Sequence, residues 1–475
     1  MIINGYPLDE NQMKPILENP KYSLIIAGAG SGKTMTLIGK IKYLLDSQKC
    51  TEEEILCLSF TNETVKDLQE KIFINTNKNV EVLTFHKLAL KILNEKTYHI
   101  CDDSFLSYVE NEFFESLFLG NESVLKTLGK SFFLKPTLKK EIKILHSKTG
   151  IDLKKDIHTF IKLYKANNYD DNYFIKLIKE HKHRNFLMIS YALFLLYESE
   201  KEAQKKIDFD DLIQKAIQNL KTKKLNLPYK YILIDEFQDT SKLRFDLILE
   251  ILRQTDSSLC VIGDDYQSIY RFSGCDLNLF LNFKEIFKDA KIYKLTQTYR
   301  NSEELIKIAG AFIMKNPYQI KKELTSPKHL DKPIVIVYYH DKAKVLNKLL
   351  EKLDTSSLMV LGRNEKDILN YPYDKQKYSF KYLTVHKSKG LEAENVIVLN
   401  LENTKYGFPN QIKEQKVLSL ISESASFHFD EERRLFYVAL TRTKKYVYLL
   451  VNKKKPSIFI RELLKWKKYI QIINL

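Results

Sequence analysis

Short apolar runs alternate with amphipathic stretches in the first part of the chain. The runs are SLIIA (23–27), ILCLSF (55–60) and EVLT (81–84), and helical spacing of apolar residues follows the first two over residues 33–45 and 63–73. Runs of this length that are apolar throughout are typical of strands buried on both faces. Strands that alternate with helices predict a parallel sheet and therefore an α/β fold.

The pattern changes over residues 95–205. Strand-like runs disappear there, and helical periodicity with many Lys and Glu residues takes over. Strand-like runs return at YILID (231–235) and LCVIG (259–263). A helical insertion within the first α/β domain explains this order best. We therefore predict a first domain that consists of residues 1–94 and 206–283, interrupted by the insertion.

A second series of apolar runs predicts a second α/β domain over residues 284–475. Its strands are predicted at IYKL (292–295), IVIVYY (334–339), LMVLG (358–362), YLTV (382–385), VIVLN (396–400) and KYVYLLV (445–451). The chain is therefore expected to contain two parallel-sheet domains, of which the first is split by helices.

Composition restricts the class of protein only loosely. The 475-residue chain is 44% hydrophobic, as is ordinary for a globular protein, and its formal net charge is +16. The charge fits a polyanionic partner such as nucleic acid, but abundant Lys, Asn and Ile throughout the chain offer a compositional explanation of similar weight. The five cysteines form no CxxC pair, which argues against a zinc or iron–sulfur site and against a disulfide framework.

Membrane association is not expected from the sequence. No apolar stretch approaches the roughly 20 residues that a membrane span needs. The N-terminal sequence MIINGYPLDENQ lacks a basic region followed by an apolar core, so no signal peptide is evident. We therefore expect a cytoplasmic protein.

A glycine-rich loop lies between the first predicted strand and the helix that follows it. Its residues are Ala27, Gly28, Ala29, Gly30, Ser31, Gly32, Lys33 and Thr34. The glycines permit a tight turn whose amides point at phosphate, Lys33 is expected to reach the terminal phosphates, and Thr34 is expected to bind Mg²⁺. Ala27 departs from the usual GxxxxGK[ST] pattern, but the position after an apolar strand supports a nucleotide site. A plain glycine-rich turn would not need Lys33 and Thr34.

An acidic pair follows the predicted strand YILI in the sequence YILIDEFQDT (231–240). Asp235 and Glu236 should emerge at the C-terminal end of that strand, where open α/β sheets bind their ligands. Asp235 is expected to act on Mg²⁺, and Glu236 is expected to orient or deprotonate the attacking water. An acidic pair of this kind is otherwise usually a solvated turn.

With these two motifs in place, the chain resembles superfamily 1 helicases of the UvrD/Rep/PcrA family from about residue 8 to residue 450. The resemblance implies two RecA-like P-loop NTPase domains that bind ATP and Mg²⁺ between them. It rests further on LDENQ (8–12), GDDYQSIYRFSG (263–274), LTQTYRNS (295–302), TVHKSKGLE (384–392) and EERRLFYVALTRTK (431–444). Carried over by motif, the ATP-contacting residues are Gln12 and Tyr299 at adenine, Glu392 near the ribose, Gln267 and Arg300 at the γ-phosphate, and Arg442 as an arginine finger.

The DNA-side motifs of the family are similar to SFTNE (59–63) and TFHKLALKIL (84–93), and IDFDDLI (207–213) is a further family feature. The resemblance implies that DNA contacts are made by Phe60, His86, Tyr270, Phe272 and His386. It also implies 3′→5′ movement on single-stranded DNA, tailed duplexes as substrates, a monomer, and a role in repair or replication restart.

Several positions depart from the family pattern. Met35 and Ser273 stand where an Arg is usual, and Glu63 stands where a Lys is usual. The large insertion of the second domain is reduced to about residues 365–383, which puts autonomous unwinding in doubt. The alternative is a DNA-stimulated ATPase subunit that senses DNA and acts with a partner nuclease or repair protein. The basic run at 135–148 could contact duplex DNA, or be a solvated lysine face.

Overall fold

Two six-stranded parallel sheets form the framework of the computed structural model, which describes residues 1–94, 98–119, 154–180, 184–412, 418–421 and 427–475. The first sheet consists of β1 (Tyr22–Ile26), β2 (Ile55–Ser59), β3 (Glu81–Thr84), β4 (Tyr231–Ile234), β5 (Ser258–Gly263) and β6 (Lys291–Lys294). Its strand order is β6-β1-β5-β4-β2-β3, with every pair parallel. We call this sheet and its helices the N-terminal lobe.

The second sheet forms the C-terminal lobe. It consists of β7 (Ile334–Tyr339), β8 (Leu358–Gly362), β9 (Lys381–Thr384), β10 (Ala393–Val398), β11 (Thr443–Asn452) and β12 (Ile470–Asn474). The strand order is β9-β8-β10-β11-β7-β12, again with every pair parallel. The predicted α/β class with two parallel sheets is therefore confirmed.

Helices cover both sheets, which explains why the strands are apolar on both faces. The α-helices of the N-terminal lobe are Glu10–Glu18, Lys33–Asp46, Asn62–Thr76, Phe85–Leu93, Phe209–Thr222, Lys242–Thr255, Asn278–Leu281 and Phe283–Ile286. Those of the C-terminal lobe are Glu303–Ile313, Lys342–Leu350, Asp430–Leu440 and Ile458–Leu463. No helix of the described residues is long and apolar enough to cross a membrane.

The insertion is helical in its described part, as predicted. Its helices are Asp103–Leu119, residues 154–166, Asp171–Glu180 and Arg184–Ala203. The short strands His99–Ile100 and Lys206–Ile207 pair at its base, where the chain leaves and re-enters the N-terminal lobe. The basic run at 135–148 lies outside the described residues.

Buried ion pairs attach the insertion to the IDFDDLI motif. Lys165 and Lys201, both almost fully buried, each contact the carboxylates of Asp208 and Asp211. Asp208 also caps helix Phe209–Thr222 by accepting from the backbone N–H of Asp211. A lost partner in such a cluster leaves an uncompensated buried charge, so the motif holds the insertion against the N-terminal lobe.

Two strands at sheet edges differ from the sequence predictions. The predicted strand IYKL was assigned to the second domain, which is wrong: β6 pairs with Tyr22–Ile26 in the first sheet. A boundary at 283/284 separates this strand from its sheet. In addition, β12 was not predicted, although it pairs with Ile334–Tyr339. Both edge strands are largely exposed, so their apolar pattern is weak and does not reveal which sheet they join.

The connection between β8 and β9 is short, as the motif spacing predicted. All of residues 363–380 are described, and they contain one 3-10 turn, Asp367–Asn370. This connection is the position of the large insertion implied by the family pattern.

Candidate active site and nucleic-acid interface

The glycine-rich loop leads from β1 into the N-terminus of helix Lys33–Asp46. Gly30 and Gly32 have φ angles of +71° and +78°, a left-handed conformation that glycine adopts without strain. A Cβ atom on Gly32 would collide with the side-chain amide of Gln12, and one on Gly30 would collide with Arg300 and Thr298. The free amides at this helix N-terminus form an anion site, and they fit the phosphates of a nucleotide.

Gln12 and Tyr299 lie on either side of this loop. Gln12 is buried, and its Nε2 donates to the carbonyl oxygen of Ser31 at 3.3 Å. The backbone N–H of Tyr299 donates to Gly30 O at 2.9 Å, and its hydroxyl donates to Asp9 Oδ2 at 2.5 Å. The exposed ring of Tyr299 and the amide of Gln12 are therefore both placed beside the phosphate loop.

The acidic pair lies at the C-terminal end of β4, opposite the loop. Lys33 Nζ is 2.6 Å from Glu236 Oε1. Glu236 has a φ of +51°, an unusual backbone conformation for a residue with a side chain and one that recurs at functional sites. Burial raises the pKa of Asp235, and the neighbouring charge of Glu236 raises it further. Burial opposes ionisation of Glu236, but Lys33 and Lys389 outweigh it and lower the pKa of Glu236.

Thr34 and Asp235 offer the oxygen donors that Mg²⁺ prefers. Thr34 is the second residue of helix Lys33–Asp46, and Asp235 directly follows β4, its N–H donating to Leu58 O at 3.0 Å. The donor chemistry of these two residues fits the ion. Among the described residues, another carboxylate cluster of metal-binding spacing is Glu198, Asp208 and Asp211, but lysines occupy it, as described above.

A hydrogen bond joins the two lobes across the cleft. Arg442 Nη2 donates to Gln267 Oε1 at 3.0 Å, and the Arg442 side chain is 1% exposed. Arg300 Nε donates to Glu392 Oε2 at 2.7 Å. Burial and the neighbouring charge of Arg300 lower the pKa of Arg442 to about 9. The positive charge of Arg300 thus disfavours the charged form of Arg442, and an anion bound near both groups would offset this repulsion.

Sequence reasoning missed Lys389, which crosses from the C-terminal lobe to the acidic strand end. Its Nζ donates to Gln267 O at 2.7 Å and to Asp239 Oδ2 at 2.5 Å, and lies 3.9 Å from Glu236 Oε2. The available signal was its position in TVHKSKGLE, three residues before Glu392. Gln238 was also missed; its Nε2 donates to Glu236 Oε2 at 2.5 Å.

Aromatic side chains cluster where the two lobes meet beside this cleft. The ring centroids of Phe272 and Tyr270 are 6.1 Å apart, and those of Phe272 and His386 are 5.7 Å apart. The Tyr270 hydroxyl donates to His386 O at 3.0 Å, and Lys389 Nζ lies 5.1 Å from the Tyr270 ring centroid. Phe272 is 52% exposed, so its ring is available for stacking on a base. Three of the five predicted DNA-facing residues are thus brought together.

The other two predicted DNA-facing residues belong to a second cluster, on the N-terminal lobe. The Phe60 ring lies 5.5 Å from Phe85, and the guanidinium of Arg244 lies 5.5 Å from the Phe60 ring. His86 lies 4.7 Å from Phe209, a partly exposed ring in the IDFDDLI motif. Sequence reasoning did not single out Arg244 or Phe209.

Both predicted DNA-side histidines are neutral near pH 7. Burial lowers the pKa of His86 to about 4, with a further contribution from the charge of Arg244. Burial likewise lowers the pKa of His386 to about 4, assisted by Arg363 and Lys389. Contact with a base or sugar therefore fits them better than an ion pair with phosphate.

A strand–loop–helix phosphate site, an acidic strand end and cationic groups on a second parallel-sheet lobe define a two-lobed P-loop nucleoside triphosphatase. The family follows from comparison with known proteins. Residues 8–288 match the UvrD/REP helicase N-terminal domain, and residues 361–454 match the UvrD-like helicase C-terminal domain. The chain belongs to the UvrD/Rep family of DNA helicases, which confirms the resemblance.

Relatives from several bacteria match most of the chain. It is 30% identical to DNA helicase IV of Escherichia coli over 494 residues, which cover 98% of this chain and 71% of that protein. It is 29% identical to a probable DNA helicase II homolog of Mycoplasma capricolum, with coverage of 76% and 48%. It is 27% identical to the ATP-dependent DNA helicase PcrA of Staphylococcus epidermidis, with coverage of 84% and 51%. The chain therefore spans about half to three quarters of the length of these relatives.

Proposed function

We propose that this protein is an ATP-dependent motor that moves 3′→5′ along single-stranded DNA and unwinds tailed duplexes, in DNA repair or replication restart. The observation that carries the proposal is the 3.0 Å hydrogen bond between Arg442 and Gln267. It joins the two lobes at the residues expected to face the γ-phosphate. If the γ-phosphate holds the cleft closed, hydrolysis removes this link and the cleft opens. ATP hydrolysis is thereby coupled to movement of one lobe relative to the other.

Each wall of the cleft has its own task in this proposal. Lys33 and the loop amides bind the phosphates, while Thr34 and Asp235 hold Mg²⁺, which neutralises phosphate charge when bound. Glu236, ionised and aimed into the cleft, takes a proton from the attacking water. Arg442 and Arg300 stabilise the charge that develops on the transferred phosphoryl group.

The exposed ring of Phe272 is proposed to grip DNA without regard to sequence. Phe272→Ala should weaken binding of oligothymidylate by about 1–3 kcal/mol, because each base stacked on an aromatic ring contributes about that much. Fluorescence anisotropy at a fixed salt concentration measures the loss. Because the side chain is 52% exposed, we expect the melting temperature to stay near that of the wild type.

Tyr406→Ala is the matched control for Phe272→Ala. Tyr406 is 60% exposed on the C-terminal lobe, and its ring contact is with Lys405 rather than with the aromatic cluster. This variant should bind oligothymidylate with wild-type affinity. Equal affinities of the two variants would remove Phe272 from the DNA path.

The direction of movement and the capacity to unwind are tested with tailed duplexes. With ATP, we expect displacement of the strand from a 3′-tailed duplex and none from a 5′-tailed duplex. Lys33→Ala should abolish displacement, because the phosphates lose their side-chain cation. Displacement from the 5′-tailed duplex alone would reverse the proposed polarity.

A second candidate function is a DNA-stimulated ATPase that senses DNA and acts with a partner nuclease. The short connection at residues 363–380 favours it, because a larger insertion belongs there in the family pattern. DNA-stimulated ATP hydrolysis without strand displacement, and without removal of streptavidin from a biotinylated strand, would support this second function.

For the first function, we propose that the motor acts as a monomer in the cytoplasm.

A further inference from the structure

The segment Ile320–Thr325, which belongs to none of the motifs that the sequence singled out, contacts both phosphate-side loops of the N-terminal lobe. Leu324 packs so closely on Gly28 that a Cβ atom there would collide with it. At its other end, Ile320 N donates to Asp265 Oδ2 at 2.9 Å, and Ile320 O accepts from the hydroxyl of Tyr266 at 2.8 Å. The segment therefore connects the phosphate loop with the GDDYQ loop.

Lys322 lies in the middle of this segment and is buried between two carboxylates. Its Nζ contacts Asp264 and lies 2.5 Å from Asp265 Oδ1. The lysine side chain is 3% exposed, and both carboxylates are fully buried. Its Nζ also lies 3.8 Å from the Tyr266 ring centroid. Charges buried this deeply are stable only when they are paired, so Lys322 is the cation that compensates the two buried carboxyl groups.

Asp264, which Lys322 holds in place, in turn orients Gln267 in the cleft. Gln267 Nε2 donates to Asp264 Oδ2 at 2.6 Å, which orients the amide so that Gln267 Oε1 accepts from Arg442 Nη2 at 3.0 Å. Lys322 and the backbone N–H of Tyr266 both donate to Asp264 Oδ1, which fixes the carboxylate with its other oxygen, Oδ2, toward Gln267. We propose that Lys322 is a positioning residue, which holds Gln267 through Asp264 and thereby presents both Gln267 and Arg442 to the γ-phosphate.

Lys322→Met tests this role, which rests on the proposed ATPase function. Methionine keeps an unbranched side chain over Tyr266 and removes the cation. We expect kcat for ATP hydrolysis to fall on the order of 10²-fold, as a misplaced contact near the reacting centre can cause. The KM for ATP should be unchanged, because the Gln12 and phosphate-loop contacts do not pass through Lys322.

Lys321→Met is the matched control. Lys321 precedes Lys322 in the chain, but its side chain is 75% exposed and its partner is Glu323 on the surface. The same chemical change should leave both kcat and KM at wild-type values. A loss of kcat in Lys321→Met equal to that in Lys322→Met would overturn the proposal, because it would reflect a general disturbance of the segment.

A double-mutant cycle separates positioning from plain stabilisation. If Lys322 acts through Gln267, then Lys322→Met should have little further effect on kcat in a Gln267→Ala protein. Effects that multiply would show that the lysine acts independently of Gln267 and would contradict the proposal. Should Lys322→Met not fold, the double variant Asp264→Asn/Asp265→Asn supplies the background instead. The two neutral amides need no cation, so adding Lys322→Met to this background should leave kcat unchanged, and a further large loss would again contradict the role.

The same assays distinguish failure of the positioning role from failure of the proposed motor function. The kcat ratios are measured both without DNA and with saturating oligothymidylate. If DNA does not change the kcat of ATP hydrolysis by the wild-type protein, the proposed motor function is contradicted. The ratio of variant to wild-type kcat in the absence of DNA would still decide the role of Lys322.

Discussion

Glu236→Gln is expected to reduce the turnover of ATP by roughly 10²–10⁴-fold, the usual contribution of a general base. Glutamine keeps the shape of the side chain, but its amide cannot take a proton from water. Lys33 Nζ lies 2.6 Å from Glu236 Oε1, so the substitution also frees this lysine from an ion pair. ATP affinity should therefore be equal to that of the wild type or higher, while hydrolysis nearly stops.

Phosphate release gives kcat for this variant, and a fluorescent ATP analogue gives its affinity.

The lowered pKa of Glu236, caused by Lys33 and Lys389 against the opposing effect of burial, implies that the base stays ionised well below neutral pH. Wild-type kcat should accordingly show no loss from this group as the pH falls from neutral toward mildly acidic values.

The control for Glu236→Gln is Glu250→Gln, which makes the same change at a carboxylate of the same lobe that pairs with Arg253. Normal turnover in Glu236→Gln would remove Glu236 from its assigned role.

Strands and phosphate chemistry were predictable from local sequence because each depends on neighbouring residues. A run such as IVIVYY (334–339) is apolar at every position, and only a strand buried on both faces suits it. The glycine-rich loop is likewise a local device, since Lys33 and Thr34 begin the helix that directly follows Gly32. The parallel direction of the strands in the first sheet then follows from their alternation with helices along the chain.

Contacts between distant segments could not be predicted in the same way. The reason why residue 32 must be glycine includes the amide of Gln12, which is twenty positions away and packs where a Cβ would lie. Lys322 reads as one of many surface lysines, yet it is buried between Asp264 and Asp265. The strand Lys291–Lys294 has an exposed edge pattern, and only tertiary pairing reveals that it joins the first sheet.

The residues predicted to face DNA show the same difference between local and long-range information. Motif resemblance selected Phe60 and His86, but the groups that pack against them come from elsewhere in the chain. Arg244 lies over Phe60, and Phe209 lies beside His86, from helices far along the sequence. Arg244 carries no local signal, because a single Arg on an amphipathic helix is compatible with surface charge, and Phe209 is marked only by its place in IDFDDLI.

Arg442→Ala is expected to have the largest effect of all, a loss of roughly 10³–10⁵-fold in kcat, because an arginine finger contributes that much to phosphoryl transfer. Arg300 does not make up this loss, because in the proposed mechanism its charge already acts on the phosphoryl group beside that of Arg442. Arg442→Lys should recover little of the loss. Its ammonium cannot reproduce the planar fork that donates to both Gln267 and Val438.

Thermal stability, nucleotide affinity and DNA binding of the Arg442 variants decide whether Arg442 is an arginine finger or a packing residue. Arg442 is 1% exposed, so thermal unfolding is measured for each variant, with the exposed Arg461→Ala as the control. A finger predicts that nucleotide affinity and oligothymidylate binding persist in a folded protein while DNA-stimulated turnover disappears. A folded Arg442→Ala protein with wild-type turnover would mean that Arg442 takes no part in the chemistry. The proposed coupling between hydrolysis and lobe movement would then lack its physical basis, because Arg442 and Gln267 are the groups proposed to link the two lobes through the γ-phosphate.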